Sequence, residues 1–518
     1  MTRLKKKTQK AKQQNGRESN FLTFVCIPYK QVSLRARLFL FVLLPFFHSS
    51  AMQADLGWQP SVVETHDLIL QYRLSEAKTL LATLPNSPEK AYLLNLSDFL
   101  QMIYTEDNGF YESYLGNLPK RRAWIEELPE GNAQKAFYLA DMKLQEAMFK
   151  IKFGDYLSGL YSLLQAHSQI DELQNRDDKI LPFLKSAGVI NILIGLTPEK
   201  YEWAIRLIGL QGDVATGIEQ LTSLSSSSSP MADEALIILG YFYAYPLHEP
   251  VKASTLFSQI LEKQPNSTLA RFMLATSLNK AHKGEQALTT LSKIPADQQK
   301  SLTPVNYLFG DLYLEKMDLD KAREHYKMFT QSYSGDNFKK DAMAKIAASY
   351  YLEGDTRSAS TWSEKASKME RSTTEPDKNA DVFLTEINQY PIPLLKTRLL
   401  TDGGYWEEAK RQLSTVNPSE LDGKWLCEYY YRLARLSHLQ GKDQSAIPHY
   451  QQALKLAERQ PWYMGANAAL QLGLIMKSSG KDQEAKGYFE KAIGFENHPY
   501  KASIDSSAER ELARLTSD

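Results

Sequence analysis

Apolar residues recur along the second half of the chain at the interval of paired helices. Seven alanines, each a few residues after a turn signal, are separated by 34, 35, 37, 50, 37 and 39 residues. They are Ala253, Ala287, Ala322, Ala359, Ala409, Ala446 and Ala485. An interval near 34 residues is that of a helix–turn–helix repeat that stacks on its neighbours. The pattern therefore predicts a helical array over residues 232–496.

Other positions keep the same phase around each alanine. A small residue lies about twelve positions before most of them, and a bulky residue lies four positions after. We expect the small residues to let two antiparallel helices approach closely, and the bulky residues to fill the space between one pair and the next. The small residues are Gly240, Ala275, Gly310, Ala347, Ala434 and Gly473; the bulky ones are Phe257, Leu291, Tyr326, Leu413, Tyr450 and Phe489.

Turn and loop signals lie between the seven alanines and explain why some of the intervals between them are longer than 34 residues. Gly354, Gly404, Gly441 and Gly480 each lie five residues before one of the alanines, where they mark the turn within a helix pair. Polar or proline-containing stretches at 334–337, 371–381 and 390–393 predict loops in the longer intervals.

The repeats resemble those of tetratricopeptide proteins. The fold predicted from them is all-α: a superhelical solenoid of tetratricopeptide-like helix pairs that ends in a C-terminal capping helix. Residues 55–224 are expected to form less regular helical repeats, 225–230 a serine-rich flexible connector, and 231–499 the regular array. Residues 500–518 are the predicted cap, because one helical face collects Ile504, Ala508, Leu512 and Leu515.

A narrower resemblance lies in the middle of the chain. Residues 207–221 read LIGLQGDVATGIEQL, which is similar to a Gly-Phe-x-Gly-Asp-Arg-x-x-Gly-Leu segment of the tetratricopeptide repeat protein 39 and inclusion-body-clearance protein family. The matching positions are Gly209, Gly212, Asp213 and Gly217. Leu210 and Val214 replace the Phe and Arg of that segment. The resemblance implies an adaptor without catalytic residues; some members of the family act at lipid-droplet or mitochondrial surfaces.

The N-terminal 51 residues predict a basic tail followed by an export signal. Residues 38–47 read LFLFVLLPFF, behind Arg35 and Arg37 and before the small residues at 49–51. A basic flank, a short apolar core and a small-residue exit together are typical of a secretory signal. We expect cleavage near Ala51 and an exported protein, periplasmic or associated with the outer membrane. The alternative is an N-terminal anchor that is not cleaved, and the long leader also suggests a mis-assigned start or a flexible tail.

Charge and cysteine content exclude several classes of protein. Residues 1–37 hold ten Lys or Arg and one Glu, so the remaining chain carries 51 basic and 60 acidic side chains. Its net charge of −9 gives no general attraction to nucleic acid. Two cysteines rule out a disulfide framework and a cysteine-based zinc site. Cys26 precedes the apolar core, which argues against lipidation, and Cys427 is expected to be a small buried residue.

No motif in the sequence predicts catalysis. His248-Glu249 begins like a zinc-protease motif, but Lys252 stands where its second histidine would be. Gly480-Lys481 resembles the end of a phosphate-binding loop, but Ile475 stands where that loop needs glycine. Neither a nucleophile elbow nor a dinucleotide-binding fingerprint occurs. We therefore predict no enzyme, no cofactor and no metal.

The repeat register places candidate binding residues on the concave side of the superhelix, where the first helices of the pairs lie. Aromatic and arginine side chains are frequent hot spots of interfaces. The predicted partner-binding residues are Tyr307, Asp311, Tyr351, Tyr431, Arg435 and His438. The first groove position carries aromatic or apolar residues in these repeats, which argues against the Lys and Asn of a carboxylate clamp.

These observations favour a non-catalytic scaffold that binds a protein or peptide in the groove of an exported array. Two alternatives stay open at this point. One is a carbohydrate or small-ligand binder of the cell envelope, and the other is an adaptor with peripheral membrane association.

Overall fold

The computed structural model describes residues 55–197, 209–369 and 374–517. The predicted basic tail and export signal, with cleavage near Ala51, lie outside the described residues. Helices of the first half are α1 Pro60–Leu70, α2 Leu74–Thr83, α3 Pro88–Thr105, α4 Asn108–Glu126, α5 Ala133–Lys152, α6 Tyr156–Gln174, α7 Phe183–Gly195, α8 Val214–Ser225, α9 Ala232–Ala244, α10 Pro250–Lys263, α11 Thr268–Lys280 and α12 Gly284–Leu291.

The second half continues in the same way, with α13 and α18 standing apart from the helix pairs. Its helices are α13 Ala296–Ser301, α14 Pro304–Glu315, α15 Leu319–Ser332, α16 Lys339–Glu353, α17 Thr356–Ser367, α18 Glu375–Glu386, α19 Ile392–Asp402, α20 Trp406–Ser414, α21 Gly423–His438, α22 Asp443–Leu456, α23 Tyr463–Ser478, α24 Asp482–Ile493 and α25 Lys501–Ser517. The all-α solenoid of tetratricopeptide-like pairs is confirmed.

The predicted alanine and glycine positions explain how close the paired helices lie. All seven alanines are at most 1 % exposed. A Cβ atom added at Gly310 of α14 would lie 2.5 Å from the ring of Tyr326 of α15, and one at Gly473 would lie 2.4 Å from the ring of Phe489. The bulky residues therefore pack on the small residue of their own pair, rather than only between pairs as the sequence suggested.

One predicted loop is a helix. Residues 371–381 were expected to lengthen a connection, but α18 begins at Glu375. Thr374 caps it by accepting a hydrogen bond from the Asp377 backbone N–H, with Pro376 in the first turn. Such a cap followed by proline is a common helix start. The 50-residue interval between alanines therefore holds an additional helix.

The serine-rich connector is a short turn in the structure. The connector joins helices α8 and α9, which pack against each other, and its residue Ser229 is buried. One cluster of buried apolar residues has members from Leu56 to Leu312, so it includes residues before and after the connector. The division into an irregular and a regular subarray stays a prediction.

Contacts join helix pairs that are distant in sequence. The Gly284 N–H donates to the Gly403 carbonyl at 3.0 Å, and the Thr268 N–H donates to the Gln71 carbonyl at 3.0 Å. The ring of Tyr104 packs edge-to-face on Phe272 of the first helix α11. The superhelix is therefore wound tightly enough that a side chain of a distant repeat packs on α11, a first helix predicted to line an open groove.

A buried polar cluster occupies the same inner face near the N-terminus. Lys185 of α7 donates to Asp141 of α5 at 2.8 Å, to Glu234 of α9 at 2.9 Å and to the Tyr92 hydroxyl of α3 at 2.6 Å. His66 of α1 lies 2.9 Å from the second carboxylate oxygen of Glu234. Lys185 thus joins the first helices of four successive pairs, and Glu234 adds the first helix of a fifth through His66.

Helix α25 is the predicted capping helix. Ile504 and Ala508 are buried in the core formed with α23 and α24, and Leu512 and Leu515 pack at its edge. The opposite side of α25 borders a cavity, described below. Among the described residues, no helix is long and apolar enough to span a bilayer.

Candidate functional site

Two of the predicted groove residues hold neighbouring pairs together. Lys345 of α16 lies 2.7 Å from Asp311 and 2.9 Å from the Tyr307 hydroxyl, both on α14. Asp311 also accepts a hydrogen bond from Tyr326 at 2.6 Å. Burial raises the pKa of Asp311, although Lys345 acts in the opposite direction. The Tyr307 and Asp311 side chains are therefore both hydrogen-bonded to other residues of the array.

Tyr431, Arg435 and His438 form a second set on α21. Tyr431 is only 3 % exposed and packs against the rings of Tyr450 and Tyr463. His438 Nδ1 lies 3.2 Å from the Tyr450 hydroxyl. Arg435 donates to the Gln471 side chain at 3.3 Å. Tyr431 is thus a core residue, which corrects its interpretation as an exposed groove residue; the two helices that follow it in the chain, α22 and α23, bury it.

Tyr351 lies apart from both sets. Its hydroxyl donates to the Tyr390 carbonyl at 2.8 Å. The structure therefore does not gather the six predicted residues on one open surface. Partner binding by the half-exposed members stays a prediction.

A large cavity lies instead at the C-terminal end of the superhelix. Its volume is about 1020 Å³, and its walls come from the end of α9, from α18, α19 and α21, and from α25 with the segment before it. Six aromatic side chains line it: Tyr245, Phe383, Tyr390, Trp462, Tyr463 and Tyr500. Cavities of this size with aromatic walls and a few polar groups are typical ligand sites.

The floor of the cavity is built around Glu428 of α21. This buried carboxylate accepts a hydrogen bond from the Tyr390 hydroxyl at 2.6 Å and one from Arg432 Nε at 2.6 Å. Arg432 also donates to the Tyr463 hydroxyl. Burial alone would raise the pKa of Glu428, but the charges of Arg432 and Arg398 hold it below the ordinary value. The carboxylate is therefore ionised, and its Oε1 accepts from both donors.

Arg398 faces the same cavity from α19. Its Nη2 donates to the Tyr500 hydroxyl at 3.0 Å, and its Nε lies 4.0 Å from Asp402. The ring of Tyr500 packs edge-to-face on Tyr463 at 5.2 Å. Arginine and tyrosine side chains thus cross-link α19, α23 and the start of α25 around the cavity.

Helix α25 and the segment before it carry buried polar atoms that lack hydrogen-bond partners among the described residues. They are Nε2 of His498, Oδ1 of Asp505, and Nε and Nη1 of Arg510. Each belongs to a residue that lines the cavity. These atoms are sealed off by their neighbours, so a ligand in the cavity would reach them only if the surrounding side chains moved.

Metal-ligand groups and the Cys427 thiol bear on the chemistry of this region. In the described part of the chain, no three His, Cys, Asp or Glu side chains are grouped to hold a metal ion. The Cys427 thiol is buried and donates to the Ala453 carbonyl at 3.3 Å. Burial raises its pKa, so it lacks thiolate character.

Sequence reasoning missed the cavity residues, although one irregularity pointed to them. The 50-residue interval contains Phe383, Tyr390 and Arg398, three residues of the cavity wall. The charged side of the predicted cap contains Arg510. An interval longer than the repeat period leaves room for an element that the other repeats lack, here helix α18.

The tetratricopeptide repeat family model matches residues 428–460, which form most of the α21–α22 pair. No curated protein matches the sequence. The chain is thus a helical repeat protein that contains a tetratricopeptide repeat, and no finding supports the narrower resemblance to the tetratricopeptide repeat protein 39 family.

Solved structures of other helical arrays show distant similarity. The apo form of the quorum sensor NprR from B. thuringiensis is 15% identical over 70% of this chain and 97% of its own, with a TM-score of 0.35. Yeast Tom70 is 14% identical over 88% of this chain and 96% of its own, with a TM-score of 0.27. A Rap protein complexed with Competence and Sporulation Factor is 12% identical over 77% of this chain and 97% of its own, with a TM-score of 0.30. At these scores the superhelices do not superpose closely, and the fold assignment rests on the helix pairs described above.

Proposed function

We propose that this array is a non-catalytic scaffold that binds a peptide segment of a partner protein in the C-terminal cavity. The observation that carries the proposal is the cavity itself, about 1020 Å³ in volume and lined by six aromatic side chains together with polar groups of α18, α19 and α25. A peptide supplies both N–H donors and carbonyl acceptors to the polar groups of such a lining. The aromatic rings on the other walls provide apolar contact for its side chains.

A variant that fills the cavity tests this function without removing a packing residue. Ser506 of α25 lines the cavity and is only half-buried. We expect Ser506→Trp to abolish recovery of a partner that co-purifies with the unaltered protein, because the indole occupies the space of the peptide. Quantitative mass spectrometry of affinity-purified complexes measures the loss.

The matched control is Thr361→Trp, at an exposed position of α17 outside the cavity. Both variants should melt at the temperature of the unaltered protein. Equal recovery of every partner by Ser506→Trp and Thr361→Trp would contradict the proposed site.

Export is a separate proposal, which rests on the signal-like residues 38–51. We expect the protein isolated from its native cell envelope to begin near Met52 and to carry no lipid. Intact-mass measurement checks this, and a mass that still includes residues 1–37 would contradict cleavage.

A further inference from the structure

A carboxyl group lies buried where two distant turns of the superhelix touch. Glu315 is the last residue of α14, and its side chain packs against the turn after α19. A Cβ atom added at Gly403 of that turn would lie 2.9 Å from the Glu315 Cβ. The same Gly403 accepts the hydrogen bond from the Gly284 N–H. Glu315 therefore belongs to the contact that joins α11 and α12 to α19 and α20.

Asn279 of α11 is the hydrogen-bond partner of this carboxyl group. Its Nδ2 donates to Glu315 Oε1 at 3.4 Å. The second oxygen of each pairing, Asn279 Oδ1 and Glu315 Oε2, is sealed from solvent and has no hydrogen-bond partner among the described residues. Both oxygens are acceptors when the carboxyl group is ionised, so they cannot satisfy each other, and leaving them unpaired is costly.

One proton satisfies both of these oxygens. A protonated carboxyl group has an O–H donor as well as an acceptor. The O–H on Glu315 can donate to Asn279 Oδ1 while the Asn279 amide donates to Oε1, which gives two reciprocal hydrogen bonds. An ionised Glu315 instead leaves two unpaired oxygens and a buried negative charge.

The charges around Glu315 also favour the protonated form. Burial raises the pKa of Glu315 well above its ordinary value, and the negative charges of Asp311 and Asp402 act in the same direction. The hydrogen bond from Asn279 and the charge of Lys345 oppose this rise. Lys345 of α16, however, is already held by Asp311 at 2.7 Å.

The other titratable groups of this contact have partners of their own. Lys316 lies 2.6 Å from Glu285 of α12, and the Tyr405 hydroxyl of the turn before α20 donates to the same carboxylate at 3.1 Å. His282 Nδ1 lies 2.9 Å from the Asp402 carbonyl oxygen. These groups are therefore not the partner of the buried carboxyl group, which is left with the amide of α11.

We infer that Glu315 and Asn279 form a proton-dependent latch, which is closed when the carboxyl group is protonated and holds the turn after α19 against α11 and α12. Ionisation breaks the acid–amide pair, and repulsion from Asp402 then loosens the contact between the turns. Because α19 also carries Arg398 of the cavity wall, the latch bears on the shape of the cavity.

Glu315→Gln tests the latch, because glutamine keeps the shape and supplies an N–H in place of the acid proton. A carboxyl group with a raised pKa stabilises the fold below its ordinary value of about 4.3, and this contribution is lost as the pH rises toward the folded value. The ratio of the two unfolding equilibrium constants should therefore be constant below about pH 4. Above it, the unaltered protein should lose stability relative to Glu315→Gln by up to about tenfold in this ratio per pH unit. Denaturant titration at a series of pH values measures the ratio.

Hydrogen exchange reports on the contact between the turns. The Gly284 amide is bonded to the Gly403 carbonyl, so its exchange rate measures how often the turns separate. Comparing both proteins at the same pH cancels the intrinsic pH dependence of exchange. We expect equal rates near pH 5, and faster exchange in the unaltered protein than in Glu315→Gln as the pH rises toward about 9.

Two controls isolate the latch. The Thr268 amide donates to Gln71 at another contact between distant pairs, and its exchange should be the same in both proteins. Glu324→Gln, at an exposed position of α15, should match the unaltered protein at every pH.

Either measurement can overturn the latch. A ratio of unfolding constants that does not change with pH would mean that Glu315 ionises as an ordinary surface carboxylate does. Gly284 exchange that is equal in both proteins from about pH 5 to about pH 9 would mean that the turns stay together whatever the charge on Glu315. Neither experiment uses a ligand, so failure of the latch would leave the proposed peptide site untouched.

Discussion

Replacing Lys185 by Met should lower the free energy of unfolding by about 3–5 kcal/mol. Lys185 is 3% exposed, and it is the cation between the buried carboxylates of Asp141 and Glu234. Removing it leaves two buried carboxylates without their cation, and Met fills the volume without supplying charge. Chemical denaturation followed by circular dichroism measures the loss.

The pH dependence of the loss identifies its electrostatic cause. Burial by itself would raise the pKa of Glu234, but Lys185 and His66 lower it to about 2. A carboxylate with a lowered pKa stabilises the fold above its unfolded value, and this contribution is lost as the pH falls toward the folded value. Without Lys185, burial prevails and protonation becomes favourable in the folded state. The stability gap between the two proteins should therefore narrow from about pH 7 to about pH 4.5.

An exposed ion pair supplies the comparison. Lys368 and Glu364 of α17 pair on the surface, where solvent screens their attraction. Lys368→Met should leave the denaturation midpoint unchanged at every pH. If Lys185→Met differs from the unaltered protein by the same amount at all pH values, its effect comes from packing and the charge argument is wrong.

Helix pairing could be predicted because it depends on residues near one another in sequence. Gly310 and Tyr326, or Gly473 and Phe489, recur at a fixed separation because the same two-helix contact is built each time. The additional helix α18 was missed because it occurs once. Its signals, the Thr374 cap and Pro376, are local and were read as a loop because of the polar residues around them.

The position of the cavity could not be predicted from the register, because it depends on how tightly the superhelix is wound. Arg398 and Arg510 are 112 positions apart and line one cavity. A small rotation per repeat, summed over several pairs, decides which side chains meet, and no single repeat encodes that sum.

A contact between distant turns provides the most direct test of this winding. Gly404 ends the turn between α19 and α20 with φ of +81°, and a Cβ atom there would lie 1.9 Å from the His282 carbonyl oxygen. Its neighbour Gly403 accepts the hydrogen bond from Gly284, so this is where two turns of the superhelix touch. Gly404→Ala should therefore cost about 2–5 kcal/mol, the sum of a left-handed backbone penalty and a steric clash.

Gly480 separates these two contributions. It occupies the equivalent turn between α23 and α24 with φ of +73°, but a Cβ atom there would meet nothing within 4 Å. Gly480→Ala should cost only the backbone penalty of about 1–2 kcal/mol. Denaturant titration of both variants measures their losses in the free energy of unfolding. The difference between the two losses is the cost of the clash with the His282 carbonyl. Equal losses would mean that the turns at 282 and 404 do not touch in solution, and that the superhelix is wound more loosely than its inner hydrogen bonds require.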